Sequence, residues 1–229
     1  GGGVGVFREG GMGVRLGRGW LSGKDRDIRN SAWEPGTVTA RCSELVTIRR
    51  DDGAEGRSAL EQTFTQEKAD HRARLLATLE HDLSSDDEPF LESCLDDRST
   101  QAQLGAANLL IRLPQSALSM RMKERADAML SMTVRGRLLK KPKLVCEPPE
   151  KIDKAWNRDG IASKPPSGRG KRAWWAEAVL SAVPPSQWVQ KFERKPQALI
   201  SALEDDPFEE AVLAAWTTAA ARFAATDND

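Results

Sequence analysis

Apolar side chains recur at helix-face spacing three times in succession between Asp86 and Met132, with only a few polar residues separating the runs. Phe90, Leu91, Cys94 and Leu95 form the first stripe, Leu104, Ala107, Leu110 and Ile111 the second, and Leu118, Met122, Ala126 and Met129 the third. None of these short helices can bury its stripe alone. Consecutive helices with short connections must therefore pack on one another, which predicts stacked antiparallel helices in a bundle or an α-solenoid of the HEAT or armadillo kind.

The same periodicity extends to both sides. A first helix is predicted after Thr37, a plausible cap, with Val38, Cys42, Leu45 and Ile48 inward; Asp51-Asp52-Gly53 then turns the chain. A helix over 54–64 uses Leu60 and Phe64, and one over 67–83 uses Ala69, Ala73, Leu76, Leu79 and Leu83. Pro89 has no amide hydrogen and fits only the first turn of the next helix, so Asp86 or Asp87 is its expected cap. Ser99 and Ser116 start the two helices that follow.

Between Val134 and Gly170 the pattern changes. Five of the twelve prolines fall here, and Leu138-Leu139 and Leu144-Val145-Cys146 flank Lys140-Lys141-Pro142, which predicts a short β-hairpin. Helices resume over 169–183, 187–194 and 197–203. The last begins at Asp206-Pro207, where Asp206 caps, Pro207 takes the first helical position and Glu209 completes a D-x-x-E box. Its apolar face of Phe208, Val212, Ala215, Trp216, Ala219 and Phe223 is large enough to call for a neighbour beyond the chain end. The reading is thus an all-α protein, a HEAT/armadillo-like α-solenoid with a short β-containing, proline-rich insert. Residues 1–36 form a glycine-rich N-terminal segment, 37–133 helical repeats, 134–170 the basic insert and 171–229 the C-terminal helices.

Composition narrows the class rather than the function. At 229 residues the chain can bury roughly 70% of its unfolded surface, so it needs no disulfide staple. Its three cysteines, Cys42, Cys94 and Cys146, form no C-x-x-C pair, which argues against a zinc ribbon and for reduced thiols and a cytoplasmic location. No apolar run approaches the roughly 20 residues that a bilayer demands, so no membrane partner is expected. Ten of the eighteen glycines crowd into residues 1–23, a density that disfavours helix and strand and reads as loop or tail. The start, Gly1-Gly2-Gly3-Val4-Gly5, reads as a fragment or trimmed product.

Net charge is zero, yet the charges are segregated. Residues 80–99 hold eight acids against Arg98, while residues 134–175 hold twelve Lys and Arg against four acids. Such segregation gives either a sided field that orients a partner or simply solvated faces.

Several ordered blocks resemble a bacterial family, domain of unknown function 5691. They are Asp87-Glu88-Pro89-Phe90-Leu91-Glu92 with Leu95-Asp96-Asp97-Arg98-Ser99; Leu109-Leu110-Ile111-Arg112-Leu113-Pro114 with Ser116-Ala117; Ala155-Trp156 with Arg158-Asp159-Gly160-Ile161; Lys164-Pro165-Pro166; and Arg172-Ala173-Trp174-Trp175. The similarity runs from about Leu16 to the C-terminus. It implies a HEAT-like helical protein associated with SWIM zinc-finger, AAA-type ATPase and von Willebrand A-domain neighbours, and it implies no activity. Family members tend to carry Val-Arg after the Asp-Asp-Arg-Ser block, whereas Gln101-Ala102-Gln103 stands here, which weakens the expectation of a basic ridge.

Candidate chemistry is sparse. His71 and His81, ten residues apart on one expected helix, lack metal-ligand spacing, and no nucleophile motif such as G-x-S-x-G occurs. The carboxylate clusters at 86–88, 96–97 and 204–206 each precede a helix, where the helix dipole stabilises them without catalysis. No catalytic, cofactor or metal residue is therefore assigned. Trp156, Trp174, Trp175 and Trp188 lie in or beside the basic insert, an arrangement that suits either core packing or single-stranded nucleic acid. The leading expectation is a non-catalytic scaffold or adaptor that binds another protein, an ATPase or von Willebrand A-domain protein by the resemblance. Its expected binding residues are Arg158, Asp159, Lys164, Arg172, Trp174 and Trp175, because a loop on a rigid scaffold concentrates charge and aromatic area. A nucleic-acid-binding solenoid is the alternative, and a hydrolase or repair enzyme on the same helices the third.

Overall fold

A computed structural model describes residues 36–135 and 141–224, and they contain eleven α-helices and one two-stranded antiparallel sheet. Expectations for the glycine-rich start, for Leu138-Leu139 and for the last five residues lie outside the described residues. The helices are α1 (Val38–Asp51), α2 (Gly53–Phe64), α3 (Ala69–Ala77), α4 (Glu88–Cys94), α5 (Thr100–Ile111) and α6 (Ala117–Met129). After the strands β1 (Leu130–Arg135) and β2 (Lys141–Cys146) come α7 (Lys154–Arg158), α8 (Lys171–Leu180), α9 (Pro185–Phe192), α10 (Pro196–Leu203) and α11 (Glu209–Ala224). The protein is mostly helical, and none of the described helices is long and apolar enough to cross a membrane.

Packing passes from helix to helix along the chain. α1 lies on α2 and α3, α3 on α5, and α5 on α4 and α6; α6 contacts α8, which packs on α11, and α11 meets α9. The α4 and α6 stripes are inward much as spaced, with Leu91, Cys94, Leu95, Leu118, Met122, Ala126 and Met129 all buried. The α5 stripe needs correction. Leu104 is 42% exposed, and the buried face is instead Ala102, Ala106, Ala107, Leu109, Leu110 and Ile111. Because α5 is enclosed by α3, α4 and α6, small side chains on several sides let its neighbours approach.

Two boundaries also differ. The helix expected over 67–83 ends at Ala77, passes through a 3₁₀ turn and stops where Asp82 takes a left-handed φ of 55°. Arg49, fully buried on α1, is the cause. Its Nε donates to the His81 carbonyl at 2.7 Å and its Nη2 to the Asp82 carbonyl at 2.7 Å, so the guanidinium takes up the carbonyls that end this segment. His81 is therefore off the helix that carries His71. The hairpin is present, but its first strand starts at Leu130, directly after α6 and inside the region read as helical repeats. Leu130 pairs with Cys146 and Arg135 with Lys141.

Capping follows the sequence closely. Ser99 accepts from the Ala102 amide at 3.5 Å, Ser116 from the Ser119 amide at 3.1 Å, and Asp52 from the Glu55 amide at 3.0 Å. At the last helix Asp206 accepts from the Phe208 amide at 2.9 Å, but Glu209 reaches the Asp205 amide at 3.1 Å, and regular helix begins only at Glu209.

Candidate interaction surface

The sequence-predicted site divides into a clasp and a packing layer. α7 is one short helix, started by Asp153, whose carboxylate accepts from the Ala155 and Trp156 amides at 2.9 and 3.3 Å. It ends at Asp159 and Gly160, whose φ of +85° lets the Ile161 amide return to the Trp156 carbonyl at 2.9 Å. That turn aims Arg158 and Asp159 in different directions. Arg158 grips both oxygens of Asp96, at 2.8 and 3.0 Å, and reaches Glu92 Oε2 at 3.2 Å. Asp159, whose side chain is 1% exposed, accepts from Arg121 at 2.8 and 3.1 Å and from Arg125 at 2.6 Å.

Three arginines and three carboxylates thus share one cluster, closed by Arg121 donating to Glu92 at 3.0 Å. The Arg125 guanidinium also lies 4.8 Å from the Trp156 ring centroid. Hydrogen bonding from Arg158 holds the Asp96 carboxyl below its ordinary range, against a small opposing effect of burial. Burial would lower the Arg121 pKa, but hydrogen bonds and charge from Asp159 and Glu92 raise it. These groups are mutually satisfied, so Arg158 and Asp159 tie the 153–161 segment to α4 and α6 rather than reaching outward.

The remaining four expected residues are not gathered with them. Trp175 is buried and its Nε1 donates to the Ala162 carbonyl at 3.2 Å, while Trp174, one residue earlier on α8, carries the Arg169 guanidinium 5.1 Å from its centroid. Arg172 donates from Nε to the Pro148 carbonyl at 2.9 Å and stacks 5.2 Å from the Phe208 centroid. Lys164 is exposed and makes no contact of this kind among the described residues. Of the twelve cations over 134–175, Lys143, Arg158, Arg169 and Arg172 are held by internal acceptors. Burial raises the Cys42 thiol and pushes Cys94 and Cys146 up to about 12, which favours the protonated form at all three.

A different surface has the form of a binding site. Between α9, α10 and α11 runs an open groove of ≈ 780 Å³, lined by Trp188 and Val189, by Leu199 and Ile200, and by Leu213 and Trp216. Ile200 is 46% exposed in its wall, while Leu199, Ala202 and Leu203 of the same helix are buried. The indole Nε1 atoms of both Trp188 and Trp216 are buried and have no acceptor. An unpaired buried N–H costs about 1–3 kcal/mol, and native structures hold few of them.

Sequence reasoning came near this groove without finding it. The excess apolar area of α11 was legible, and Val212, Ala215 and Ala219 bury one side of it beneath the molecule. Leu213 and Trp216 lie on a second side. The missing signal was α10, where adjacent Leu199 and Ile200 widen the apolar face of an eight-residue helix, Leu199 buried and Ile200 exposed, so that it both packs and lines the groove.

The chain belongs to the Family of unknown function (DUF5691), whose model matches residues 14–228. No curated protein and no solved structure matches it.

Proposed function

We propose that this protein is a non-catalytic helical scaffold, built as a HEAT-like α-solenoid, that captures a segment of another protein in the groove between α9, α10 and α11. The packing order from α1 to α6 supports the solenoid reading, because each of these helices contacts others one or two places away in the chain. One observation carries the function: a preformed apolar groove flanked by three helices, with an exposed Ile200 and two tryptophans in its walls. Its volume is within the range of small-ligand pockets, but its open side leaves room for a row of side chains, the geometry by which grooves take amphipathic segments. ATPase and von Willebrand A-domain proteins, associated with this family by the resemblance, are the first donors of such a segment to try.

Selection from a displayed library of random peptides tests this directly. Binders to the native protein are expected, and Ile200→Glu, a change on an exposed wall that leaves the core intact, is expected to weaken them by about tenfold or more, some 1.4 kcal/mol. A selection that yields nothing above background, or binders indifferent to Ile200→Glu, rejects the groove as the binding site.

A further inference from the structure

The groove's surroundings are electrostatically lopsided, and this feature narrows its occupant. Over residues 185–200 and 213–220, the spans within which its lining falls, the charged side chains are Lys191, Arg194 and Lys195 against a single acid, Glu193. α10 carries no charge at all between Pro196 and Leu203. Of these three cations, among the described residues, Lys191 alone has a carboxylate partner, Asp127 at 2.9 Å. Arg194 and Lys195 are exposed and form no ion pair among the described residues.

Backbone charge adds to this. α9 and α10 both begin with proline at the groove's edge, at Pro185 and Pro196, and neither N-terminus has a side-chain cap or an acid in its first turn. Helix N-termini in that state present uncompensated positive ends. The nearest acids along the chain, Glu204, Asp205, Glu209 and Glu210, sit where α10 finishes and α11 begins, outside the lining. Two of them are engaged there: Asp205 lies 3.7 Å from Lys143, and Glu209 accepts from the Asp205 amide at 3.1 Å. Within the walls, the Trp188 side chain is 1% exposed and its N–H, like that of Trp216, lacks an acceptor.

Resting on the reading of the groove as a protein-binding site, we propose that its occupant is an acidic amphipathic segment of a second protein. Aliphatic side chains enter between Trp188, Ile200 and Trp216, and carboxylates lie over Arg194, Lys195 and the N-terminus of α10.

Two synthetic amphipathic peptides test the assignment, both with one leucine-rich face and with flanking positions that are all Glu in one and all Lys in the other. Affinity is read by fluorescence anisotropy. The Glu peptide is expected to bind about tenfold tighter at low salt, about 1.4 kcal/mol, as two weak exposed ion pairs and a helix N-terminus supply. That preference should shrink with added salt and largely vanish in the double variant Arg194→Glu, Lys195→Glu. Equal binding of both peptides, abolished by Ile200→Glu, overturns the acidic partner while leaving the groove's role in place. Binding of neither peptide removes both. A concentration-dependent dimer, seen by sedimentation and lost in Ile200→Glu, also overturns the proposal by making a second copy of the chain the occupant.

Discussion

At the scale of single residues, Asp87 shows how much a pattern of helix starts conceals. Its position before Pro89 marks it as the cap of α4, but its side chain accepts no amide of that helix; its Oδ2 accepts instead from the Ser84 amide, in the 3₁₀ turn before it, at 3.0 Å. Its larger role is long-range. Asp87 is fully buried against Arg49, with both carboxylate oxygens 2.9 Å from the guanidinium, and Arg57 adds a contact at 3.1 Å. Room for Arg49 is made by Gly56, where an added Cβ would stand 2.3 Å from Arg49 Cγ. Nothing in local periodicity announces a pair separated by 38 residues, and that pair, not the helix start, is what holds the carboxylate. Burial alone would raise the Asp87 pKa, but hydrogen bonds from Arg49 and Ser84 and the charge of Arg49 leave it below 3.8. A depressed native pKa contributes stability that is fully present above the unfolded value and is lost as pH falls through the native one. Asp87→Asn is therefore expected to cost about 3 kcal/mol near neutral pH by stranding Arg49. The gap should narrow as pH falls below the ordinary carboxylate range, where wild-type Asp87 itself protonates. Urea unfolding at a series of pH values checks this, and a gap that is constant with pH would refute the charge pairing.

At the scale of elements, most helices were legible because each combines an apolar period with a local start signal. The misplaced boundaries share one physical cause: tertiary groups overrode local pattern. Arg49 stops α3 early, and strand pairing with β2 takes over the chain at Leu130, where the α6 periodicity had just run out. Trp174 and Trp175 were both expected to bind a partner, but adjacent helical residues diverge by about 100°, and Trp175 points to the core. The turn after α7 depends on a glycine in a way that two glycines can separate. Gly160 and Gly168 both have φ of +85°, but a Cβ at Gly160 would stand 3.1 Å from the Ala107 Cβ, while nothing lies within 4 Å at Gly168. Gly168→Ala is expected to cost about 1 kcal/mol from backbone strain alone, and Gly160→Ala at least about 1 kcal/mol more, because buried Ala107 cannot retreat. Equal shifts in thermal midpoint for the two variants would show that the Ala107 contact yields freely.

At the scale of the molecule, the opposing charge runs in the sequence find a common meeting point. Glu92 and Asp96 come from the acidic run, Arg158 from the basic one, and Asp159 turns inward to α6. Part of the expected sided field is thereby neutralised within the fold, a pairing that sequence alone could not assign because the partners are 62 to 66 residues apart. The pairs are unequal in weight. Arg158 to Asp96 is largely exposed, with side chains 35% and 64% accessible, and ion pairs of that kind contribute little. Asp159 is the buried member that Arg121 and Arg125 both require, and removing one partner of such a set leaves a charge stranded. The segment it anchors is short, so losing it should release residues 153–161 before it unfolds the helices. Asp159→Asn is accordingly expected to raise amide hydrogen exchange across that segment severalfold while the α1–α3 region keeps its wild-type protection. Asp96→Asn, which breaks only the exposed pair, should leave the exchange pattern close to that of the unaltered protein. Matching exchange profiles for the two variants would place the weight of the clasp on Arg158 rather than on Asp159.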